Sequence, residues 1–286
     1  GSRGVSNRVI FLRLAKRQTG LPSYYFGQRT LHHLGDPFMP RVLLITGASR
    51  GIGAATALLA AQQGWAVAVN YTRDAQAADR VVQEIRASGG QAHAFQADVG
   101  IEVDIERLFQ SVDKEMGALG GLVNNAGVLD VPARVDTTSW ERLERMMRIN
   151  VLGSFACAKQ AVLRMSTAHG GAGGSIVNLS SAAAKLGAPG QYVDYAASKG
   201  AIDTFTIGLA KEVAAEGIRV NAVRPGLILT DIHASGGLPD RANQLAHLVP
   251  MQRPGTAMEV AEAIVWLLSD AAGYVTGTNI DVGGGR

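Results

Sequence analysis

The 286-residue chain holds one cysteine, Cys157, so no intrachain disulfide can form, and a soluble protein of the reducing cytoplasm is the simplest expectation. A lone cysteine of this kind is expected as a small buried hydrophobe. The six histidines, at 32, 33, 93, 169, 233 and 247, lack zinc-type spacing and cysteine partners, so no metal site is expected. Gly, Asn or Arg interrupts every apolar run well short of the roughly 18 residues a membrane-spanning helix needs. Charged residues are few, at 18%, against 47% hydrophobic ones. That balance supplies a core and excludes general disorder.

Acidic residues are nearly missing from the first forty positions, where Arg3, Arg8, Arg13, Lys16, Arg17 and Arg29 face Asp36 alone. The chain's net charge is +3, so residues 41–286 carry −2 and give no support to nucleic-acid binding. The chain opens Gly-Ser, as tag remnants do, and Met39-Pro40 directly precedes the apolar run Arg41–Ile45. Residues 1–40 are therefore expected to be a tag or upstream translated extension, mobile, with Met39 the natural start; an Arg-rich targeting segment is the alternative. Residues 41–286 are expected to form a single domain.

From residue 41 onward, β-rich runs alternate with helical ones. Strands are expected over 41–46, 65–70, 91–97, 119–124, 175–179, 218–223 and 279–282. Between them lie amphipathic stretches such as Val81, Val82 and Ile85, or Val260, Ile264, Leu267 and Leu268. Near-continuous apolar strands spaced by helix-length segments predict an α/β, doubly wound Rossmann fold, with one parallel seven-stranded sheet covered on both faces.

After the first strand stands Thr46-Gly47-Ala-Ser49-Arg50-Gly51-Ile52-Gly53, followed by a helical run. Glycines there let backbone N–H groups at a helix N-terminus approach a pyrophosphate. The second strand ends Asn70-Tyr71-Thr72-Arg73, without the acid that would hold a ribose 2′-hydroxyl at its tip. Arg50 and Arg73 are placed to meet an extra phosphate, which predicts NADP(H) over NAD(H). Farther on, Tyr195 and Lys199 stand four residues apart, so a helix would set an ammonium beside a phenol. Together these features point to hydride transfer.

Thr46-Gly47-x-x-x-Gly51-x-Gly53, Asn124-Asn-Ala126-Gly127, Asn150, Ser181, Tyr195-x-x-x-Lys199 and Pro225-Gly226 occur in the order, and near the spacing, of the short-chain dehydrogenase/reductase family. Over residues 41–286 the chain closely resembles that family. The resemblance implies Asp98 and Val99 beside an adenine, and Asn124, Ala126 and Gly127 supporting the cofactor. It also implies Pro225, Gly226, Ile228 and Thr230 along the nicotinamide, although Asp98 could simply cap a helix and Asn124 tie two strands together. Ser181, with thirteen residues between it and Tyr195, is preferred to Ser180 as the catalytic serine; Ser180 is then a backbone-bonding neighbour. Tyr192 lacks a lysine at i+4 and reads as a pocket or surface aromatic.

The family's chemistry implies that Tyr195 exchanges the proton of the reacting oxygen, and that Ser181 bonds the same oxygen. Lys199 is then expected to reach the ribose hydroxyls and, with the positive nicotinamide, to lower the tyrosine's pKa, while Asn150 holds a water on the path to solvent. A lid is expected from Asp231 to Pro250, forming with Ala188–Tyr192 and Asp194 a pocket of mixed polarity. The resemblance is greatest to 3-oxoacyl-carrier-protein reductases, glucose dehydrogenases and related carbonyl reductases. A small ketone or sugar is the expected substrate, with acyl thioester reduction and a non-catalytic NADP(H)-sensing module as alternatives. Resemblance alone implies a homotetramer.

Overall fold

The computed structural model describes residues 40–230, 232, 236–238 and 240–286, so the expectation for 1–39 lies outside the described residues. Short runs rich in Val, Ile, Leu and Ala form β1 (Val42–Ile45), β2 (Ala66–Tyr71), β3 (Gln91–Gln96), β4 (Leu119–Asn124), β5 (Gly174–Leu179) and β6 (Ile218–Pro225). The two-residue strands β7 (Ile228–Leu229) and β8 (Gly255–Thr256) and the final β9 (Asn279–Val282) follow. Seven of these build one sheet in the order β3-β2-β1-β4-β5-β6-β9, every neighbouring pair parallel. All seven expected strands are present, with ends within two residues. The separate β7–β8 ladder was not anticipated, since two residues are too few to show a period.

Alternation along β1 explains the layering. Leu43 and Ile45 face one side, where they meet Ala57 and Ala60 of α1 (Gly51–Gln62), Val81, Val82 and Ile85 of α2 (Ala75–Ala87), and the helix Ala257–Leu268. Val42 and Leu44 face the other, against α3 (Glu102–Met116), α5 (Gly153–Met165) and α7 (Val193–Val213). Cys157 of α5 is fully buried in this second layer, where burial pushes its thiol up to about 12. That is the setting of a packing residue, not a nucleophile.

The helix α4 (Trp140–Met147) runs into α5 through a single π-helical turn, Arg148–Leu152, with Asn150 at its centre. Chain order reverses where β1 stands between β2 and β4, and a doubly wound sheet opens a crevice at the carboxyl ends of its strands there. Among the described residues no helix is long and apolar enough to cross a membrane.

Candidate active site

The glycine-rich turn leaves β1 and enters α1. Gly47 and Gly51 adopt φ of +60° and +56°, a region that favours glycine. A Cβ on Gly53 would stand 2.6 Å from the Gly47 carbonyl oxygen and 2.5 Å from Asn125 Nδ2, so only glycine lets the helix start this close to the turn. Asn70 holds the same turn from the side: its Oδ1 accepts from Gly47 N at 3.1 Å, and its Nδ2 donates to the Phe95 and Ala97 carbonyls. No side chain caps α1 and no acid lies in its first turn, so its N-terminus is open to an anion.

A cavity of about 990 Å³ runs from this turn along the carboxyl ends of the strands. All the site residues expected from sequence line it except Gly53, Asn70, Asn124 and Asn150. These four stand behind the cavity wall and support it. Gly53 and Asn70 shape the turn as above. Asn124 is buried and ties β4 to its neighbours, donating to the Ser154 carbonyl and to Asn178 Oδ1. Asn150 Oδ1 accepts from Val128 N at 2.8 Å, and its Nδ2 donates to Val128 O and Ser198 Oγ, which joins the loop after β4 to α7.

Past the β2 tip, exposed Asp74 lines the cavity, and one oxygen of its carboxylate caps α2 by accepting from Ala77 N at 2.9 Å. Arg50 and Arg73 are exposed on the cavity lip and make no ion pair among the described residues. An open helix N-terminus and a glycine cradle fit the pyrophosphate of a dinucleotide.

The reactive cluster lies deeper. Tyr195 and Lys199 occupy successive turns of α7, with the Lys199 ammonium 5.7 Å from the Tyr195 ring centroid. Lys199 Nζ donates to the Leu179 carbonyl at 2.6 Å. Ser181 follows β5 and lines the cavity together with the Tyr195 phenol; its Oγ accepts from Ala183 N at 3.1 Å. Burial pushes that phenol up, and Ser181 opposes the shift. Lys199 with a positive nicotinamide was expected to lower it; in the protein alone the net direction is upward. Burial also drives Lys199 down to about 8, with Asp203, one turn farther along α7, opposing the shift. Ser180 donates instead to the Lys199 carbonyl at 3.2 Å.

The family model described as "Enoyl-(Acyl carrier protein) reductase" matches residues 47–286. The chain belongs to the short-chain dehydrogenase/reductase family. It is 54% identical to the uncharacterised oxidoreductase YgfF of Escherichia coli strain K12 over 245 residues, 86% of this chain and 99% of that protein. It is 37% identical to the 3-oxoacyl-(acyl-carrier-protein) reductase FabG of Staphylococcus aureus strain Mu50 over 250 residues, 86% and 98% of the two chains. A short-chain dehydrogenase/reductase from Serratia marcescens superposes with a TM-score of 0.80 at 31% identity, covering 87% of this chain and 99% of its own.

This oxidoreductase also uses residues that the sequence reading passed over. Asn125, inside the Asn-Asn-Ala-Gly run, lines the cavity and donates from Nδ2 to the Thr46 and Gly47 carbonyls, clamping the glycine turn to β4. Its signal was present in that motif. On the substrate side Ala188, Pro189, Gln191 and Tyr192 line the cavity, whereas Gly190 and Asp194 do not. The Asp194 carboxylate is held by Arg142, at 2.7 and 3.1 Å from Nε and Nη2. Of the expected lid, residues 231, 233–235 and 239 lie outside the described residues, while Ile232 and Arg241 line the cavity. Among the described residues no cluster of His, Cys, Asp or Glu could hold a metal.

Proposed function

We propose that this short-chain dehydrogenase/reductase is NADP(H)-dependent and passes a hydride between the nicotinamide and the carbonyl or secondary alcohol of a small ketone or sugar. The observation that carries the reading is that Ser181, Tyr195 and buried Lys199 line one cavity, with the Lys199 ammonium 5.7 Å from the Tyr195 ring centroid. Arg50 and Arg73, without an ion pair among the described residues, support NADP(H).

The chemistry that bound NADPH supplies is the hydride. Tyr195 gives its phenolic proton to the carbonyl oxygen in reduction and takes the alcohol proton in oxidation. Ser181 donates to the same oxygen and stabilises its developing charge. Lys199 is anchored by Leu179, and with a pKa near 8 it exchanges protons close to neutral pH. Asn150 holds the loop that carries Gly127; a Cβ on Gly127 would stand 3.4 Å from Asn150 Oδ1 and 3.5 Å from Lys199 Nζ.

The FabG relative's name brings acyl-carrier-protein thioesters as the second reading for this chain. Loss of NADPH absorbance, with NADH in parallel, against small ketones, sugar-derived carbonyls and β-keto thioesters separates the two. Fastest turnover of a ketone or sugar supports the proposal, and fastest turnover of thioesters replaces it with the second reading. Tight NADPH binding without turnover of any carbonyl would instead make the protein a cofactor-sensing module.

We also propose a homotetramer. Phe155 of α5 is 45% exposed and stacks on Phe205 of α7, leaving an apolar outer face for a second copy. Light scattering should return four times the 29.9 kDa chain mass; a monomer mass refutes it.

A further inference from the structure

Tyr192 is only 4% exposed, yet its hydroxyl has no hydrogen-bond partner among the described residues, and its side chain lines the cavity. A buried phenol without a partner is costly, and in a cavity wall it marks a place for a polar group of the ligand. The guanidinium of Arg241 lies 4.9 Å over the Tyr192 ring. Its one side-chain hydrogen bond among the described residues runs to a neutral acceptor, Gln191 Oε1, at 2.7 Å, and no carboxylate of the described residues pairs with it. The other arginine near Tyr192, Arg142, is already neutralised by Asp194. Arg241 therefore brings to the substrate end of the cavity a positive charge that the described residues leave unbalanced.

We propose that Tyr192 and Arg241 form a subsite for a carboxylate, and that the enzyme selects short keto acids. The inference rests on the hydride-transfer reading above and names its substrate class. Tyr192 stands at the N-cap of α7, three residues before Tyr195, and both line the same cavity. A substrate whose carbonyl oxygen meets Ser181 and Tyr195 reaches Tyr192 and Arg241 with a group about two or three carbons away. The guanidinium fork matches one carboxylate with two parallel hydrogen bonds. A neutral sugar leaves the Arg241 charge unanswered.

Levulinate and methyl levulinate test the subsite, since they present the same ketone with and without a charge. The wild-type protein should favour levulinate by about tenfold or more in kcat/KM, as loss of a charge-assisted pair predicts. In Arg241→Gln that preference should collapse toward one, with the loss in KM and little in kcat. Arg241→Lys, which keeps the charge and loses the fork, should fall between, and Tyr192→Phe should lower the preference several-fold. Calorimetric titration of both compounds into the same proteins reads binding without turnover. A preference for the ester, or a preference unchanged by Arg241→Gln, overturns the subsite while the reductase reading stands. Binding of levulinate that depends on Arg241, without NADPH consumption on either compound, supports the subsite and refutes hydride transfer.

Discussion

Lys199 gives an ammonium hydrogen to the Leu179 carbonyl at 2.6 Å, so the last residue of β5 fixes the lysine beside Tyr195. The proton-handling group thus depends on a strand end as well as on its own helix, and its charge is held at 4% exposure.

Tyr195→Phe removes the proton donor and leaves the cavity wall in place. We expect kcat to fall by about 10²–10⁴, with NADPH affinity unchanged in a fluorescence titration. Turnover at the parent's rate would remove Tyr195 from the mechanism.

Burial lowers Lys199 from 10.5 to about 8, so between those pH values the unfolded chain keeps a proton that the native protein releases. Stability should therefore rise with pH across that window, by an amount on the order of 3 kcal/mol, while below about 8 the full cost of the buried charge is present. Urea midpoints measured from pH 7 to 11 should show this rise in the wild type and lose it in Lys199→Met.

Arg50→Ala with Arg73→Ala should raise the KM for NADPH by about tenfold to a hundredfold and leave that for NADH nearly unchanged, because only the former carries a phosphate for these groups. The same substitutions should flatten the salt dependence of NADPH binding. An unaltered cofactor preference would assign both arginines to the solvated surface.

Gly53→Ala forces a methyl group against the Gly47 carbonyl and Asn125 at under 3.0 Å. One of these contacts is backbone and cannot swing away, so a loss of about 1–3 kcal/mol is expected, read as a lower denaturant midpoint at constant m. NADPH should also bind more weakly, since the turn has to shift.

Arg142→Met strands the Asp194 carboxylate, whose side chain is 5% exposed against 9% for its partner. Breaking a buried pair on one side costs about 3–5 kcal/mol. Thermal unfolding should show that loss, and Arg142→Met with Asp194→Leu should recover much of it; no recovery in the double variant would contradict the pairing.

The strands, their helices and the order of the motifs were legible because each is local. A run such as Val42–Ile45 buries both faces wherever it lies, and the glycines of 47–53 require one kind of turn. The roles of Asn70 and Asn124 were not legible, because an asparagine at a strand end can face a ligand or bind its own sheet. Only the packing of Phe95, Ala97 and Asn178 around them decided for the sheet. Asp194 looked available in the chain; Arg142, 52 residues away, took its carboxylate. By itself the sequence determined the Rossmann fold, the glycine turn and the Tyr195–Lys199 pair, since short-range spacing and burial pattern specify them. Tertiary structure alone decided which polar side chains remain free for a ligand, because hydrogen-bond partners are allotted across distances that no local pattern records.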